Sequence, residues 1–391
     1  MSSFPYLVTL VKVIYVVCNV AVLVRFYYAL RGPGISRRAR IGFCFLAAAM
    51  SLAFPAARVL DGNALWVRAL AHIGNFWFAF LFYAVLAWML VGLFRLLNWR
   101  FRWIAIAEED RVRWRHRCCA GIVAASLAIC VAGMVNMQFP VVREIKLPVP
   151  AGTAPLRIVA LSDLHLGRLA SAGFLSGAVD LIAPLSPDAV LFLGDILEHD
   201  FHPSETQANA EALRRLNPRL GIWGVMGNHE YIGGVGAQSR DALNRIGIRT
   251  LIDQWATIGE KPGEKFMLIG RKDRSVGRKP VRELVSEIPE EHKDALKILL
   301  DHQPTDLKGA AEAGVFLQLS GHVHNGQFFP LNFLVQRLFE NAHGYSRRGQ
   351  THVWVSSGIG AWGARMRTSG RPEILLIDLV PTLRADAAAS S

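Results

Sequence analysis

The stretch Arg157-Ile158-Val159-Ala160-Leu161-Ser162-Asp163-Leu164-His165 joins a short apolar, partly β-branched run to an aspartate and a histidine two positions apart. Six residues of that character, closed by polar ligand-type side chains, predict a buried strand that ends at a site. The same construction recurs downstream. Ala189-Val190-Leu191-Phe192-Leu193 runs into Gly194-Asp195, and Ile222-Trp223-Gly224-Val225-Met226 runs into Gly227-Asn228-His229-Glu230. Lys297-Ile298-Leu299-Leu300 is followed by Asp301-His302, and Val315-Phe316-Leu317-Gln318-Leu319-Ser320 by Gly321-His322-Val323-His324. Helical stretches separate these runs, so the region reads as an α/β domain. Loops at strand ends are supported by a rigid sheet and gather ligands. Any one of these groups is an ordinary turn or surface histidine; five in order, each after a strand, converge on one place.

Asp and His without Cys suit Mn, Fe, Zn or Mg rather than copper(I) or a sulfur cluster. All five cysteines (Cys18, Cys44, Cys118, Cys119, Cys130) lie in the first third of the chain, so the α/β region has neither a disulfide framework nor a thiolate site. Two ions about 3.5–4 Å apart need a bridging carboxylate; such a pair can generate a hydroxide and clamp the oxygens of a phosphoryl group in in-line displacement.

The first third has a different composition. Hydrophobic residues make up 52% of the 391-residue chain, and the excess is concentrated in residues 1–143. That part carries 16 Lys+Arg against 4 Asp+Glu, whereas the remainder has 27 of each. A basic balance confined to the apolar part, beside a neutral globular part, argues against nucleic-acid binding and for membrane loops. Four segments are long and apolar enough to span a bilayer: 7–30, 41–60, 71–97 and 118–140. Lys12 and Arg25 fall near the ends of the first, where long side chains snorkel to the headgroups. Arginine collects in the loop after the first segment (Arg31, Arg37, Arg38, Arg40) and after the third (Arg100, Arg102, Arg111, Arg113, Arg115, Arg117), while the second loop holds only Asp61 and Arg68. The excess marks the cytoplasmic side; both termini and the α/β domain are then expected outside. The expected organisation is a transmembrane domain over 1–142, a linker over 143–155, the catalytic domain over 156–380 and a tail over 381–391.

The ordered series Asp163-x-His165, Gly194-Asp195, Gly227-Asn228-His229-Glu230, His302 and Gly321-His322-x-His324 resembles the calcineurin-like metallophosphoesterase superfamily. The resemblance covers roughly Leu156 to Asp378 and departs from the pattern at no ligand position. His302-Gln303-Pro304, Gly326-Gln327, Val355 to Gly360 and Arg367 with Pro372-Glu373-Ile374 are similar to a bacterial membrane-associated branch. The resemblance implies a sandwich of two mixed β-sheets flanked by helices. It implies two divalent ions, one held by Asp163, His165, Asp195 and His324, the other by Asp195, Asn228, His302 and His322, with Asp195 shared. His229 is then the catalytic residue, placed over the substrate phosphate.

The expected activity is hydrolysis of phosphate mono- or diesters by a metal-bridged hydroxide, in an integral protein of the bacterial inner membrane. A catalytically weak membrane sensor or scaffold that keeps the fold is the alternative, and retention of every ligand and of His229 speaks against it. The apolar stretch Phe328 to Phe339 beside the last ligands is read first as packing against the sheets or the bundle. Were it free, it would suit a lipid-linked phosphate or pyrophosphate. The run Arg271 to Arg282 is read as a solvated loop, with attraction of an anionic headgroup as the other possibility.

Overall fold

Apolar residues on every side of a helix leave no solvent face, and four N-terminal helices are built that way. These are α1 (Phe4–Ala29), α2 (Arg37–Val59), α3 (Leu65–Phe101) and α4 (Arg111–Asn136). The structure, a computed structural model, describes residues 4–60, 62–259 and 263–382; Asp61 and most of the expected tail over 381–391 lie outside the described residues. All four helices meet the length and composition of a membrane span. Ser36 caps α2 by accepting the Ala39 N–H at 3.1 Å, the ordinary use of serine at a helix start. Polar side chains stitch the bundle: Tyr15 Oη donates to Ser51 O and Trp77 Nε1 to Asn19 Oδ1. At 1.5 Å per residue, the 37 residues of α3 extend about 55 Å, well beyond a hydrocarbon core of about 30 Å. Its ends therefore reach past the span expected over 71–97.

The chain divides into two compact units, one of residues 1–135 with 363–366, the other of 136–362 and 367–391. Much of the stretch expected as a linker belongs to the second unit's sheet. Val141–Val149 forms strand β1, paired in parallel with the last strand along its whole length. Its exposed Arg143, Glu144 and Lys146 make it a charged edge, which discourages pairing with other chains.

The remaining strands are β2 (Leu156–Leu161), β3 (Ala189–Leu193), β4 (Ile222–Val225), β5 (Arg249–Thr250), β6 (Gln254–Ile258), β7 (Phe266–Gly270), β8 (Leu296–Leu300), β9 (Leu317–Ser320), β10 (Gly344–Arg348), β11 (Thr351–Val355) and β12 (Glu373–Pro381). They form two six-stranded sheets, in the orders β1-β12-β2-β3-β4-β5 and β10-β11-β9-β8-β7-β6. Both are mixed. In the first, β2 to β5 run parallel and β12 antiparallel to β2; in the second, β7, β8, β9 and β11 are parallel, with antiparallel strands at both edges.

Alternation along the strands assigns the faces. Ile158, Ala160, Leu191 and Leu193 of the first sheet pack with Leu268, Ile298, Leu300 and Leu319 of the second. Val159, Leu161, Val190 and Phe192 face the other way, into the layer formed by helices such as Ala172–Ile182. The result is the expected two-sheet sandwich flanked by helices, and the carboxyl ends of β2, β3, β4, β8 and β9 meet at one edge of it.

Candidate metal centre

Five of the seven sequence-expected ligands sit in the left-handed region of backbone space: Asp163, His165, Asp195, His322 and His324, with φ between 49° and 70°. Non-glycine residues avoid that region, and such strain persists only where the surroundings fix it, typically at functional sites. Each ligand follows the end of a strand, and the abrupt turn aims its side chain across the sheet edge. Two glycines make the turns possible. A Cβ on Gly227 would lie 2.1 Å from Asp195 Oδ1, and one on Gly321 would lie 1.7 Å from Ser162 Oγ.

Six of the seven side chains fall into overlapping groups. Ligand atoms of Asp163, His165 and His324 lie within 4.8 Å of one another, as do those of Asp195, His302 and His322; a third such group joins His165, Asp195 and His229. Asp195 is thus common to two groups. Asp163, His165, Asp195, His302 and His324 are buried, His322 and Asn228 partly so.

The donor set fits cations. His165 Nε2 and His324 Nε2 face each other at 3.1 Å. His302 Nδ1 is engaged by the Leu193 carbonyl at 2.8 Å, which leaves its Nε2 as the lone-pair nitrogen on the site side. That Nε2 lies 3.1 Å from Asp195 Oδ2 without the angle of a hydrogen bond, and it is buried with no hydrogen-bond partner; Asn228 Oδ1 is likewise unpartnered. Buried polar atoms are otherwise nearly always paired, so the orphans match an ion's coordination shell.

Around these groups stands a supporting shell that the sequence did not reveal. Glu198 bridges two imidazoles: Oε1 contacts His165 Nδ1 at 2.8 Å and Oε2 contacts His229 Nδ1 at 2.9 Å. Burial alone would raise its pKa, but its hydrogen bonds to His165, His199 and His229 hold the carboxyl well below the usual range. Burial lowers the His229 pKa, yet the Asp195 and Glu198 carboxylates outweigh it and push it up to about 9. The His229 N–H also donates to Asp195 Oδ1 at 2.9 Å. Glu230 accepts the backbone N–H groups of Asp195, Ile196, Leu197 and Gly227 at 2.6–3.1 Å, clamping the turns after β3 and β4 together.

Arg367 is fully buried. It donates to the carbonyls of Gly360, Ser357 and His324, and Nη2 rests 3.1 Å from His324 Nδ1. Burial, then the neighbouring His165 and Arg367 charges, push the His324 pKa well down, favouring the neutral imidazole that binds metal. The arginine run after β7 departs from its expectation as a solvated loop. Arg271 and Arg278 are largely buried and pair with Asp301 at 3.1 and 2.5 Å. Asp301 therefore anchors the end of β8, next to His302, rather than facing the site.

The family profile described as calcineurin-like phosphoesterase matches residues 156–326. An uncharacterized metallophosphoesterase of Aquifex aeolicus is 31% identical over 236 residues, which span 59% of this chain and 87% of that protein. The chain belongs to the calcineurin-like phosphoesterase family. Similarity extends further in two animal proteins called transmembrane protein with metallophosphoesterase domain. The Danio rerio protein is 33% identical over 68% of this chain and 63% of its own length. The Bos taurus protein is 30% identical over 74% of this chain and 68% of its own, a share too large to lie within the α/β unit alone. Relatives of this calcineurin-like phosphoesterase therefore occur in animals as well as bacteria, and the expected bacterial branch is too narrow a description. The family's need for divalent metal agrees with the clusters around Asp195.

Glu198 and Arg367 are what sequence reading missed as supports of the site. The only signal for Glu198 was a carboxylate three residues after Asp195 on the same loop.

Proposed function

We propose that the protein hydrolyses phosphate mono- or diesters at this centre. Asp163, His165, Asp195 and His324 hold one divalent ion, and Asp195, Asn228, His302 and His322 the other. The overlapping groups formed by Asp163, His165, Asp195, His302, His322 and His324, with His229 beside them, carry the proposal. When bound, a pair of divalent ions supplies a water-derived nucleophile and neutralises phosphoryl oxygens; manganese is a suitable ion for this oxygen and nitrogen donor set.

His229 acts on the substrate. Its Nδ1 is occupied by Glu198, so Nε2 is the atom that meets the phosphate and donates a proton to the departing oxygen. Glu198 keeps the ring's tautomer fixed while performing the same service for His165.

The substrate we infer is a lipid-linked phosphate or pyrophosphate. Phe329, Phe333, Leu334 and Leu338, on and just before the helix Leu331–Leu338, are more than half exposed. They follow the last ligands directly, and Phe339 packs its ring 6.2 Å from that of His322. Hydrogen bonds lead from there to the point where the chain enters the unit. Phe329 N–H donates to Thr368 Oγ1, Ser369 Oγ to Asn325 O, and Asn136 Nδ2 to the carbonyls of Arg367 and Gly370. Exposed apolar side chains beside the candidate ligands suit a substrate with a lipid tail. The arginine-rich first and third loops support an inner-membrane protein with this unit outside the cytoplasm.

The test is His229→Ala in the full chain, loaded with manganese and offered a phosphodiester substrate. Turnover is expected to fall about 10²–10⁴-fold with metal content near that of wild type. Wild-type turnover would remove His229 from the mechanism, and an inert wild-type protein with full metal would favour a scaffold.

A further inference from the structure

Four arginines surround one void in the helical unit. A cavity of about 770 Å³ lies among the C-terminal end of α1, the C-terminal end of α3, the turn beyond it and the N-terminal end of α4. Arg25, Arg95, Arg111 and Arg115 line it, and no Asp or Glu is among its described lining residues. Like charges from three helices repel across a shared space unless an anion sits between them.

Three of the four, all exposed, also have contacts elsewhere. Arg111 pairs with Glu108. Arg115 donates to the Arg31 carbonyl at 3.0 Å, a neutral partner, and Arg25 lies 5.6 Å from the centre of the Trp88 ring. Snorkelling to the headgroups accounts for a single arginine near a helix end; here four border the same cavity.

The walls say what kind of anion fits. Val24, Val91, Phe94 and Ile106 make part of the lining apolar. Trp88, Trp99 and Trp114 add amphipathic rings of the type that collects at headgroup depth. Asn98 fixes the turn that closes one side by bonding both the N–H and the carbonyl of Ile104 at 2.8 Å. The volume lies within the 300–1,000 Å³ usual for small-molecule sites. A bare inorganic anion has no use for the apolar wall, whereas an amphiphile uses both parts.

We propose that this cavity binds the phosphate headgroup of an anionic phospholipid, with the guanidinium groups of Arg25 and Arg95 as its principal contacts. Guanidinium forks match phosphate oxygens in bidentate fashion. The site belongs to the helical unit and is independent of the phosphoesterase chemistry.

The experiment uses the full chain in neutral detergent, titrated with phosphatidylglycerol or phosphatidylcholine of identical acyl chains and followed by native mass spectrometry. Wild type should hold one phosphatidylglycerol in preference to phosphatidylcholine. The Arg25→Gln/Arg95→Gln variant should bind it about 25-fold more weakly, at roughly fivefold per basic residue near a lipid phosphate. Arg25→Lys/Arg95→Lys should bind with intermediate strength, keeping the charge but losing the bidentate fork. Equal retention by wild type and the glutamine variant, or no preference between the lipids, would overturn the proposal. Loss of binding in the lysine variant as much as in the glutamine one would count against it too. Displacement by millimolar inorganic phosphate at equal affinity would reassign the site to free phosphate and refute a lipid.

Discussion

Replacing Glu198 with Gln keeps the side chain's shape but removes one of its two acceptors. In the native site both oxygens are engaged, at 2.8 Å from His165 Nδ1 and 2.9 Å from His229 Nδ1. An amide offers one oxygen and one NH₂, so one imidazole must face a donor. If it is His165, the ring is driven to the tautomer with its proton on Nε2, the nitrogen that faces His324 at 3.1 Å, and it is lost as a metal ligand. If it is His229, the ring loses the orientation that presents Nε2 to substrate. Either outcome forfeits a hydrogen bond to a charged group, about 1.5–3 kcal/mol. Substitutions of groups that orient metal ligands cost about 10–100-fold in affinity or activity. The expected result for Glu198→Gln is therefore a fall in kcat/KM of about that range, measured on full-length protein with a chromogenic phosphodiester and manganese. Metal content measured in parallel tells which imidazole suffers: it drops if His165 flips and holds if His229 does. Wild-type kcat/KM with wild-type metal content would refute the bridging role.

Asp195→Asn should reduce occupancy of both ions together, read by elemental analysis, because Asp195 is the carboxylate common to two ligand clusters. Gly227→Ala places a Cβ 2.1 Å from Asp195 Oδ1 and 2.6 Å from its backbone nitrogen. Overpacking of that kind costs about 1–3 kcal/mol, or about 2–12 °C in the midpoint of thermal unfolding. Glu373 accepts the Ser357 N–H at 2.9 Å and lies 3.4 Å from His343 Nε2 and 3.6 Å from Arg143 Nε. Burial would raise its pKa, but those partners bring it below its ordinary 4.5. A depressed carboxyl stabilises the fold above the unfolded pKa and loses that contribution as pH falls through the folded one. Glu373→Gln should thus lower the unfolding temperature at pH 7, with the gap to wild type closing below about pH 4.5; a gap independent of pH would contradict the assignment.

The strands that carry the candidate ligands were legible because each combines two local signals, an apolar run and a ligand-type side chain after its end. Asp163 after Leu161 and Asp195 after Leu193 need nothing remote to be recognised. The four spans were legible for a similar reason, since bilayer thickness imposes a length that composition alone displays. Pairing was not. That β12, the last strand, inserts between β1 and β2 depends on hydrogen bonds across more than 200 residues, which no local pattern encodes. Glu198 is an isolated acid until His165 and His229, 33 positions before and 31 after, are brought to its two oxygens. Arg271 and Arg278 read as solvated because arginine usually is; the buried Asp301, 30 and 23 positions away, pairs with both. Exposure of Phe333, Leu334 and Leu338 was equally hidden, since an apolar helix beside a sheet normally packs on it.

Elemental analysis of the purified full-length protein, after manganese loading and removal of free ion, tests the central claim most directly. The proposed centre predicts two divalent ions per chain in the wild type and markedly fewer in Asp195→Asn. A protein that retains none, or the same number in both, would contradict a paired metal centre built on Asp195.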